Sequence, residues 1–171
     1  FFNLTGSHWQ SVFHLIGKSN MSKDYPLKDL MIINTKTITY IIDNKKMNYN
    51  DKIKLDAISY AKWSNFSFIT KKLNKINKDD ISKSTFYVTS NDIKNGLFVR
   101  NWRAGDWTYG KDQKRKIKIK KIFSKSNLNA FDKKNTPLIV NNKDEVIWIP
   151  FLFKNHTFIK KEEYLIKCKI K

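Results

Sequence analysis

Residues 138–150 read LIVNNKDEVIWIP, and this stretch decides the fold class of the chain. Two runs of β-branched and aromatic residues, 138–140 and 146–149, bracket the polar segment 141–144. Such a pattern is typical of two antiparallel strands joined by a short turn. Pro150 lacks the amide hydrogen that a continuing strand would need, so the second strand is expected to end there.

More strands are predicted on both sides of this hairpin. The runs 30–33 and 38–42 flank Asn34-Thr35 and indicate a second hairpin. The stretch 43–83 indicates weak strands with long polar connections, and its end, 71–83, is predicted to be a mobile loop. Other short apolar or alternating runs predict strands at residues 53–58, 66–69, 86–88, 97–99 and 164–170.

Two segments show helical spacing. Residues 5–17 carry one apolar face, formed by Trp9, Val12, Phe13 and Ile16. Residues 116–126 place Ile119, Ile122 and Phe123 at helical spacing with lysines between them. Because Ile117 alternates with Ile119, a strand remains the second interpretation of that segment.

The pattern as a whole predicts the α+β class, an antiparallel β-rich domain with a Lys-rich flanking helix. Residues 1–25 are interpreted as the last helix of an upstream helical domain and a linker, and residues 26–171 as the β-rich domain. The chain begins at Phe1 rather than Met, so we expect it to be the C-terminal piece of a longer protein.

The composition favours a polyanionic partner. The 171 residues carry 34 basic and 15 acidic side chains, a net charge of +19, which attracts RNA, DNA or an anionic membrane. Only Arg100, Arg103 and Arg115 are arginines, and a mix of Lys, Asn and Ile also arises from an AT-rich genome. The single cysteine, Cys168, fits a reducing compartment, and no apolar run approaches a membrane span. We therefore expect a cytoplasmic protein with no membrane contact.

The block 97–150 combines five motifs in a fixed order. A strand ends in Arg100 and is followed by Arg103-Ala104-Gly105-Asp106. A basic stretch, 111–121, leads into Ile122-Phe123. The strands 136–140 (TPLIV) and 146–150 (VIWIP) complete the block.

This order of motifs resembles the C-terminal domain of tRNA(Ile)-lysidine synthetases. The resemblance is good over about a third of the chain, and residues 4–27 are similar to the end of that family's central helical domain. It implies a β-rich module like one in the phenylalanyl-tRNA synthetase β chain. The sequence departs from the family pattern at Ala104 (usually Pro), Trp107, Lys133, Phe151 (usually Gly) and Phe153.

The resemblance implies an ATP-dependent ligase that joins lysine to the wobble cytidine of isoleucine tRNA. The family's ATP-binding Ser-Gly-Gly-x-Asp-Ser motif does not occur in the 171 residues. We therefore expect no catalytic residue and no cofactor here, with ATP and Mg bound by a domain absent from this chain. The expected partner is isoleucine tRNA, and a homodimer is left open.

The residues expected to contact tRNA are cationic. Arginine presents a fork of donors that matches phosphate, and a dense lysine cluster gives affinity without reading bases. The predicted set is Arg100, Arg103, Lys111, Lys114, Arg115, Lys116, Lys118, Lys120 and Lys121. The alternatives are an Arg100 or Arg103 bridge to Asp106 and a solvated lysine face.

Two neighbours of these cations are interpreted as turn residues. Gly105 is expected to adopt a positive φ, and Asp106 to accept hydrogen bonds from neighbouring backbone amides. Trp107 and Tyr109 are candidates for stacking on bases, whereas Trp102 is assigned to the core. The three histidines and Cys168 form no metal-ligand pattern.

Two other functional classes remain open. A free-standing basic module that binds RNA or DNA predicts that the helix 5–17 packs on this same chain, whereas a fragment leaves Trp9 or Phe13 poorly covered. An unrelated scaffold protein whose charge reflects only codon usage predicts basic residues spread evenly, with no patch around Arg100 and Lys118.

Overall fold

The fold is known from a computed structural model, which describes residues 6–7, 10, 14, 24–27, 30–34, 39–43, 52–73, 82–110, 115–126, 128, 130–155 and 163–170. The chain divides into two compact units. One consists of Phe1–Asn48 with Leu128–Lys134, and the other of Tyr49–Asn127 with Asn135–Lys171. Among the described residues, no helix is both long and apolar enough to cross a membrane.

The first unit contains an antiparallel sheet of three strands in the order β1-β2-β3. These strands are β1 (Asp24–Leu27), β2 (Leu30–Asn34) and β3 (Thr39–Asp43). The hairpin predicted around Asn34-Thr35 is confirmed by the register, which pairs Asn34 with Thr39. Strand β1 was not predicted, because it contains Pro26, which a strand tolerates only at a sheet edge.

The unit also includes helical residues. Gly6, Ser7, Gln10 and His14 are helical, as the prediction for 5–17 requires, while the apolar face of that segment lies outside the described residues. Helix α3 (Ala130–Asn135) belongs to this unit except for its last residue. The assignment of residues 1–25 to an upstream helical domain stays a prediction.

The second unit has two large sheets. The five-stranded sheet has the order β13-β12-β11-β8-β4, and the four-stranded sheet the order β5-β6-β14-β7. The strands of the first are β4 (Ile53–Leu55), β8 (Leu97–Asn101), β11 (Pro137–Asn141), β12 (Val146–Ile149) and β13 (Phe153–Lys154). The strands of the second are β5 (Ser59–Trp63), β6 (Phe66–Lys72), β7 (Thr85–Val88) and β14 (Tyr164–Ile170).

Smaller elements complete this unit. They are a two-stranded sheet of β9 (Trp107–Tyr109) and β10 (Lys116–Lys118), helix α1 (Ser90–Asn95) and helix α2 (Ile119–Lys125). Helix α1 begins with a capping box in which Thr89 and Asp92 bond each other's backbone amides. All strand pairs are antiparallel, so the predicted strand-rich α+β class is confirmed.

The main core consists of side chains from both large sheets. Trp148 of β12 is fully buried, stacks on Phe86 of β7 with ring centroids 5.4 Å apart, and meets the edge of Phe68 of β6 at 6.3 Å. The same cluster includes Ile139 and Ile166. Aromatic pairs of this kind stabilise a core beyond the burial of their area. The predicted strands 138–140 and 146–149 therefore provide the central part of the fold.

Two sequence predictions need correction, and one strand was not predicted. Lys71 and Lys72 were assigned to a loop but end β6, since the ladder to β14 continues to Lys72. The helix predicted at 116–126 begins only at Ile119, because Lys116–Lys118 forms β10, as the second interpretation held. Strand β5 was missed because Ser59 and Ala61 are weak strand formers, although its alternating burial is that of a half-buried strand.

Candidate nucleic-acid interface

The cationic residues predicted to bind tRNA lie mainly on the β9–β10 hairpin and helix α2. In β10, Lys116 and Lys118 are exposed while Ile117 is half-buried, because successive side chains of a strand point to opposite faces. In α2, Ile119 and Phe123 are buried. The apolar residues of this segment therefore anchor it, and its ammonium groups project outward.

Asp106 holds this cationic segment to the main sheet. Its Oδ2 atom accepts hydrogen bonds from the backbone N–H of Arg103 at 2.7 Å and from Nη1 of Arg100 at 2.8 Å. Its Oδ1 atom accepts a bond from Nη2 of Arg100 at 2.7 Å. Its backbone carbonyl accepts the N–H of Ile119, the first residue of α2, at 2.9 Å. One residue thus joins the end of β8 to the start of the lysine-rich helix.

The turn before Asp106 has the geometry that the sequence predicted. Gly105 has a φ of +95°, in the region that favours glycine, and the N–H of Asp106 donates to the carbonyl of Arg103 at 3.2 Å. A glycine with positive φ at the third position is typical of a type II turn, which also favours proline at the second position. Ala104 occupies that second position. Both turn predictions, for Gly105 and for Asp106, agree with this geometry.

Arg100 is the residue whose predicted role needs correction. Its side chain is 2% exposed, and besides Asp106 it contacts the carbonyl of Asn101 at 2.9 Å and Asp144 at 3.4 Å. Burial lowers the pKa of Arg100, but the hydrogen bond and the charge of Asp106 outweigh that effect, so the pKa is raised. A buried guanidinium whose N–H groups already donate to protein acceptors has no pair of free donors for a phosphate. Arg100 is therefore a positioning residue, as the alternative of a bridge to Asp106 held.

Five of the remaining predicted cations lie together. Beside β10 and α2 is a groove of about 850 Å³, and the described residues that line it include no acid. Its lining consists of Gly110, Arg115, Lys116, Ile117, Lys118, Lys120, Lys121 and Ser124. We call this surface the cationic groove. A local patch of basic residues around Lys118 is therefore present, although Arg100 is not part of it.

Of the three other predicted cations, the structure describes only Arg103. Arg103 is exposed but does not line the cationic groove. Lys111 and Lys114 fall outside the described residues. The described residues on either side of that gap are joined by a hydrogen bond from the N–H of Gly110 to the carbonyl of Arg115, 2.9 Å long.

Aromatic rings flank the groove in two different roles. The Nζ atom of Lys116 lies 4.0 Å from the ring centroid of Trp107, a cation–π contact, and Trp107 meets the edge of Tyr109 at 5.1 Å. Both rings are half-buried. Trp102 contacts Phe123 of α2 edge-on at 5.9 Å, so its assignment to packing agrees with the structure.

Sequence reasoning missed two supporting acids. Asp144 accepts bonds from Lys52 at 3.0 Å and from Arg100, and its pKa is lowered chiefly by the Lys52 hydrogen bond. Burial raises the pKa of Glu145. The hydrogen bond from Asn141 and the charges of Lys116 and Lys143 offset part of that rise. Both acids lie in the hairpin turn that was treated only as a fold signal. Within the described residues, no group of His, Cys, Asp and Glu is placed to hold a metal.

Comparisons with known proteins agree with this geometry. A tRNA(Ile)-lysidine synthase of Thermosipho africanus (strain TCF52B) is 32% identical over 77 residues, which are 45% of this chain and 17% of that protein. The chain thus matches about a sixth of that relative's length. A solved crystal structure of a TILS C-terminal domain superposes with a TM-score of 0.63 at 18% identity, covering 70% of this chain and 96% of the other. No family model matches the chain.

The two matches agree with each other and with the motifs. The structural match shows that the chain has the fold of that C-terminal domain, and the sequence match is to a protein named for the same enzyme. The resemblance to the C-terminal portion of tRNA(Ile)-lysidine synthetases is confirmed.

Proposed function

We propose that this chain is the tRNA-recognition part of a tRNA(Ile)-lysidine synthetase and that it holds tRNA through the cationic groove. The observation that carries the proposal is the groove itself, since the eight described residues that line it include five cations and no acid. A surface of this kind matches the dense negative charge of a folded RNA backbone.

The arrangement of the groove supports binding that positions the RNA without reading its sequence. The groups that contact RNA would be the ammonium groups of flexible lysine side chains and the guanidinium of Arg115. Such groups neutralise phosphates without distinguishing bases. The half-buried Ile117 anchors β10, and the buried Ile119 and Phe123 anchor α2. The Arg100–Asp106 contact fixes both elements relative to β8. We infer that the groove supplies affinity and register, while specificity for isoleucine tRNA depends on additional contacts.

The whole enzyme, in this proposal, uses ATP to activate the wobble cytidine of isoleucine tRNA and then joins lysine to it. ATP and Mg would be bound by a catalytic domain that this chain does not contain. The chain itself would be non-catalytic, and the protein would act in the cytoplasm. The sequence match and the motif order support the link to this enzyme. The cytoplasmic location rests on the single cysteine of the chain.

Binding to isoleucine tRNA tests the proposal. We would compare the full chain with the groove variant Lys118→Gln/Lys121→Gln and with the matched control Lys54→Gln/Lys94→Gln, which removes two exposed lysines of the same unit outside the groove. Exposed ionic contacts contribute about 0.5–1 kcal/mol each, so the groove variant should bind roughly 5- to 30-fold more weakly. The control should bind within about twofold of the unmodified chain by the same measure.

The salt dependence separates phosphate contacts from other effects. Each phosphate contact contributes about 0.7–0.9 to the slope of log affinity against log salt, so the groove variant should lose about 1.5 of that slope. An unchanged slope in the groove variant, or an equal loss in the control, would contradict the proposal.

A free-standing RNA- or DNA-binding module is the second candidate, because the second unit has a core of its own between two sheets. Competition distinguishes the two. A module without an enzyme predicts equal displacement by any tRNA or by duplex DNA, whereas the synthetase proposal predicts that tRNA displaces best.

A further inference from the structure

The outer face of the four-stranded sheet carries a second cationic surface. Tyr60 of β5 pairs with Ile69 of β6, which pairs with Lys167 of β14. The next row along the same face runs from Lys62 through Ser67 to Lys169. We call Tyr60, Lys62, Lys167 and Lys169 the sheet face.

These side chains are open to solvent. The ring of Tyr60 is 59% exposed, and Lys62, Lys167 and Lys169 are all exposed. On the same face but nearer to β7, Leu165 and Tyr87 are buried. Around Tyr60 the exposed side chains therefore belong to β5 and to the C-terminal half of β14, while Ser67 of β6 between them is buried and Ile69 is half-buried. Neighbouring strands lie about 4.8 Å apart and same-face residues of one strand about 7 Å apart, so the backbone of Lys62 lies about 7 Å and that of Lys167 about 10 Å from that of Tyr60.

The part of the chain that the structure describes offers no acid that balances this charge. The four strands of the sheet contain five lysines and not one Asp or Glu. Among the described residues, no carboxylate lies within ion-pair distance of Lys62, Lys167 or Lys169. Lysines on an edge strand such as β5 also discourage pairing with other chains, but that purpose does not explain Lys167 and Lys169, which lie on an inner strand.

An exposed aromatic ring adds a chemical preference to the charge. Every base has an apolar face that stacks on such a ring, and bases are accessible for stacking only where the RNA is unpaired. A lysine face without a ring would accept duplex and single strands alike. The combination of Tyr60 with flanking lysines therefore favours single-stranded nucleotides.

We propose that the sheet face binds an unpaired stretch of RNA, with one base stacked on Tyr60 and the adjoining phosphates on Lys62, Lys167 and Lys169. The proposal rests on RNA as the partner of this chain, and it concerns residues separate from the cationic groove. It extends the RNA-binding surface from a groove that accepts any phosphate backbone to a face that selects single strands.

Binding of two RNA probes by the full chain tests this inference. The probes are a uridine oligoribonucleotide of about 12 nucleotides, within the site size of single-strand binding folds, and a duplex RNA of equal length. Stacking on one aromatic ring corresponds to roughly a 5- to 150-fold change in affinity, which Tyr60→Leu should remove for the oligouridine. Tyr60→Phe keeps the ring and should bind within about twofold, because stacking does not need the hydroxyl group.

The charge variants complete the design. Lys167→Gln/Lys169→Gln should weaken oligouridine binding and flatten its salt slope by about 1.4, whereas Lys54→Gln/Lys94→Gln should change neither. Circular dichroism would confirm that each variant is folded. Oligouridine binding that is unaffected by Tyr60→Leu, or duplex binding that falls as much as oligouridine binding, would overturn the inference.

The same variants distinguish this inference from the proposed function. If Lys118→Gln/Lys121→Gln impairs tRNA binding but Tyr60→Leu leaves oligouridine binding intact, the sheet-face inference fails while the groove proposal stands. If Tyr60→Leu impairs oligouridine binding but the groove variant binds tRNA normally, the groove proposal fails instead. Vesicles of anionic phospholipid that bind more tightly than oligouridine, with the same dependence on Tyr60, would assign the face to membranes and overturn the RNA inference.

Discussion

The replacement Asp106→Asn probes the contact on which the geometry of the cationic groove depends. Arg100 and Asp106 are joined by two hydrogen bonds of 2.7 and 2.8 Å, and their side chains are 2% and 9% exposed. Asparagine keeps the size and one acceptor oxygen but removes the negative charge. The guanidinium of Arg100 would then be left buried without the charge of Asp106, with the new amide oxygen, the carbonyl of Asn101 and Asp144 at 3.4 Å as its acceptors.

The expected loss is large because one charge of a buried pair stays behind. Removing one partner of such a pair costs about 3–5 kcal/mol, which is a substantial part of the 5–15 kcal/mol that stabilise a typical domain. Asp144→Asn is the matched control, since Asp144 also contacts Arg100 but has a side chain that is 53% exposed. An exposed ion pair contributes about 0–1 kcal/mol, so the control should stay below that.

Urea unfolding followed by tryptophan fluorescence measures the difference. Four of the five tryptophans belong to the second unit, so the signal reports on the part of the molecule that contains the contact. The unfolding midpoint of Asp106→Asn should fall by roughly 1–3 M urea. The double variant Arg100→Met/Asp106→Asn should lose less free energy of unfolding than Asp106→Asn alone, because it leaves no buried charge. A loss for Asp106→Asn no greater than that for Asp144→Asn would refute the reasoning.

Three further replacements test single features of the second unit. Gly105→Ala should lower the free energy of unfolding by about 1–2 kcal/mol, as measured by urea unfolding, because a φ of +95° is unfavourable for a residue with a Cβ atom. The cost is one of backbone conformation alone, since no atom lies within 4 Å of the added Cβ. Ala104→Pro should raise it by about 0.4–1 kcal/mol in the same assay, since proline suits the second position of this turn, and a loss would contradict the turn geometry. Burial raises the pKa of Cys168 from 9.0 to about 12, so above pH 9 the unfolded chain loses a proton that the folded chain keeps. The free energy of unfolding should therefore fall between pH 9 and 12, by at most about 1.4 kcal/mol per pH unit. This part of the loss should be missing in Cys168→Ala. Equal dependence of stability on pH in both chains would contradict the prediction.

The strands that could be predicted from sequence are those with uniform apolar character. Residues 138–140 and 146–149 are buried on both faces, so every side chain in them carries the β signal. Strand β5 shows the opposite case. Its inward residues include Ala61, its outward residues include Lys62, and only its pairing with β6 makes it a strand. Local propensity contains no information about such a partner.

The candidate nucleic-acid interface could be predicted only in part, because some of its contacts also depend on residues that are distant in sequence. The lysine cluster and the turn at Gly105-Asp106 are local features, and the structure has them where the sequence predicted. Whether Arg100 faces solvent or the core depends on residues that are distant in sequence, among them Asp144. Asp106 was expected to bind backbone amides, and the structure adds that its own carbonyl fixes the start of α2. No pattern within residues 100–121 indicates that contact.

The sheet face lay beyond sequence reasoning because its residues come from three strands. Tyr60 and Lys167 are 107 positions apart, and they share a row only through the register of β5, β6 and β14. The basic residues of the sequence therefore form at least two surfaces among the described residues.

Lysine footprinting in the presence of isoleucine tRNA tests most directly whether the cationic groove holds the RNA. Each exposed ammonium group reacts with an acylating reagent unless a phosphate covers it, and mass spectrometry measures the extent at every lysine. We predict that Lys116, Lys118, Lys120 and Lys121 lose reactivity when tRNA is bound, while Lys54 and Lys94 keep theirs. Equal reactivity of the groove lysines with and without tRNA, under conditions where the complex forms, would contradict the proposal.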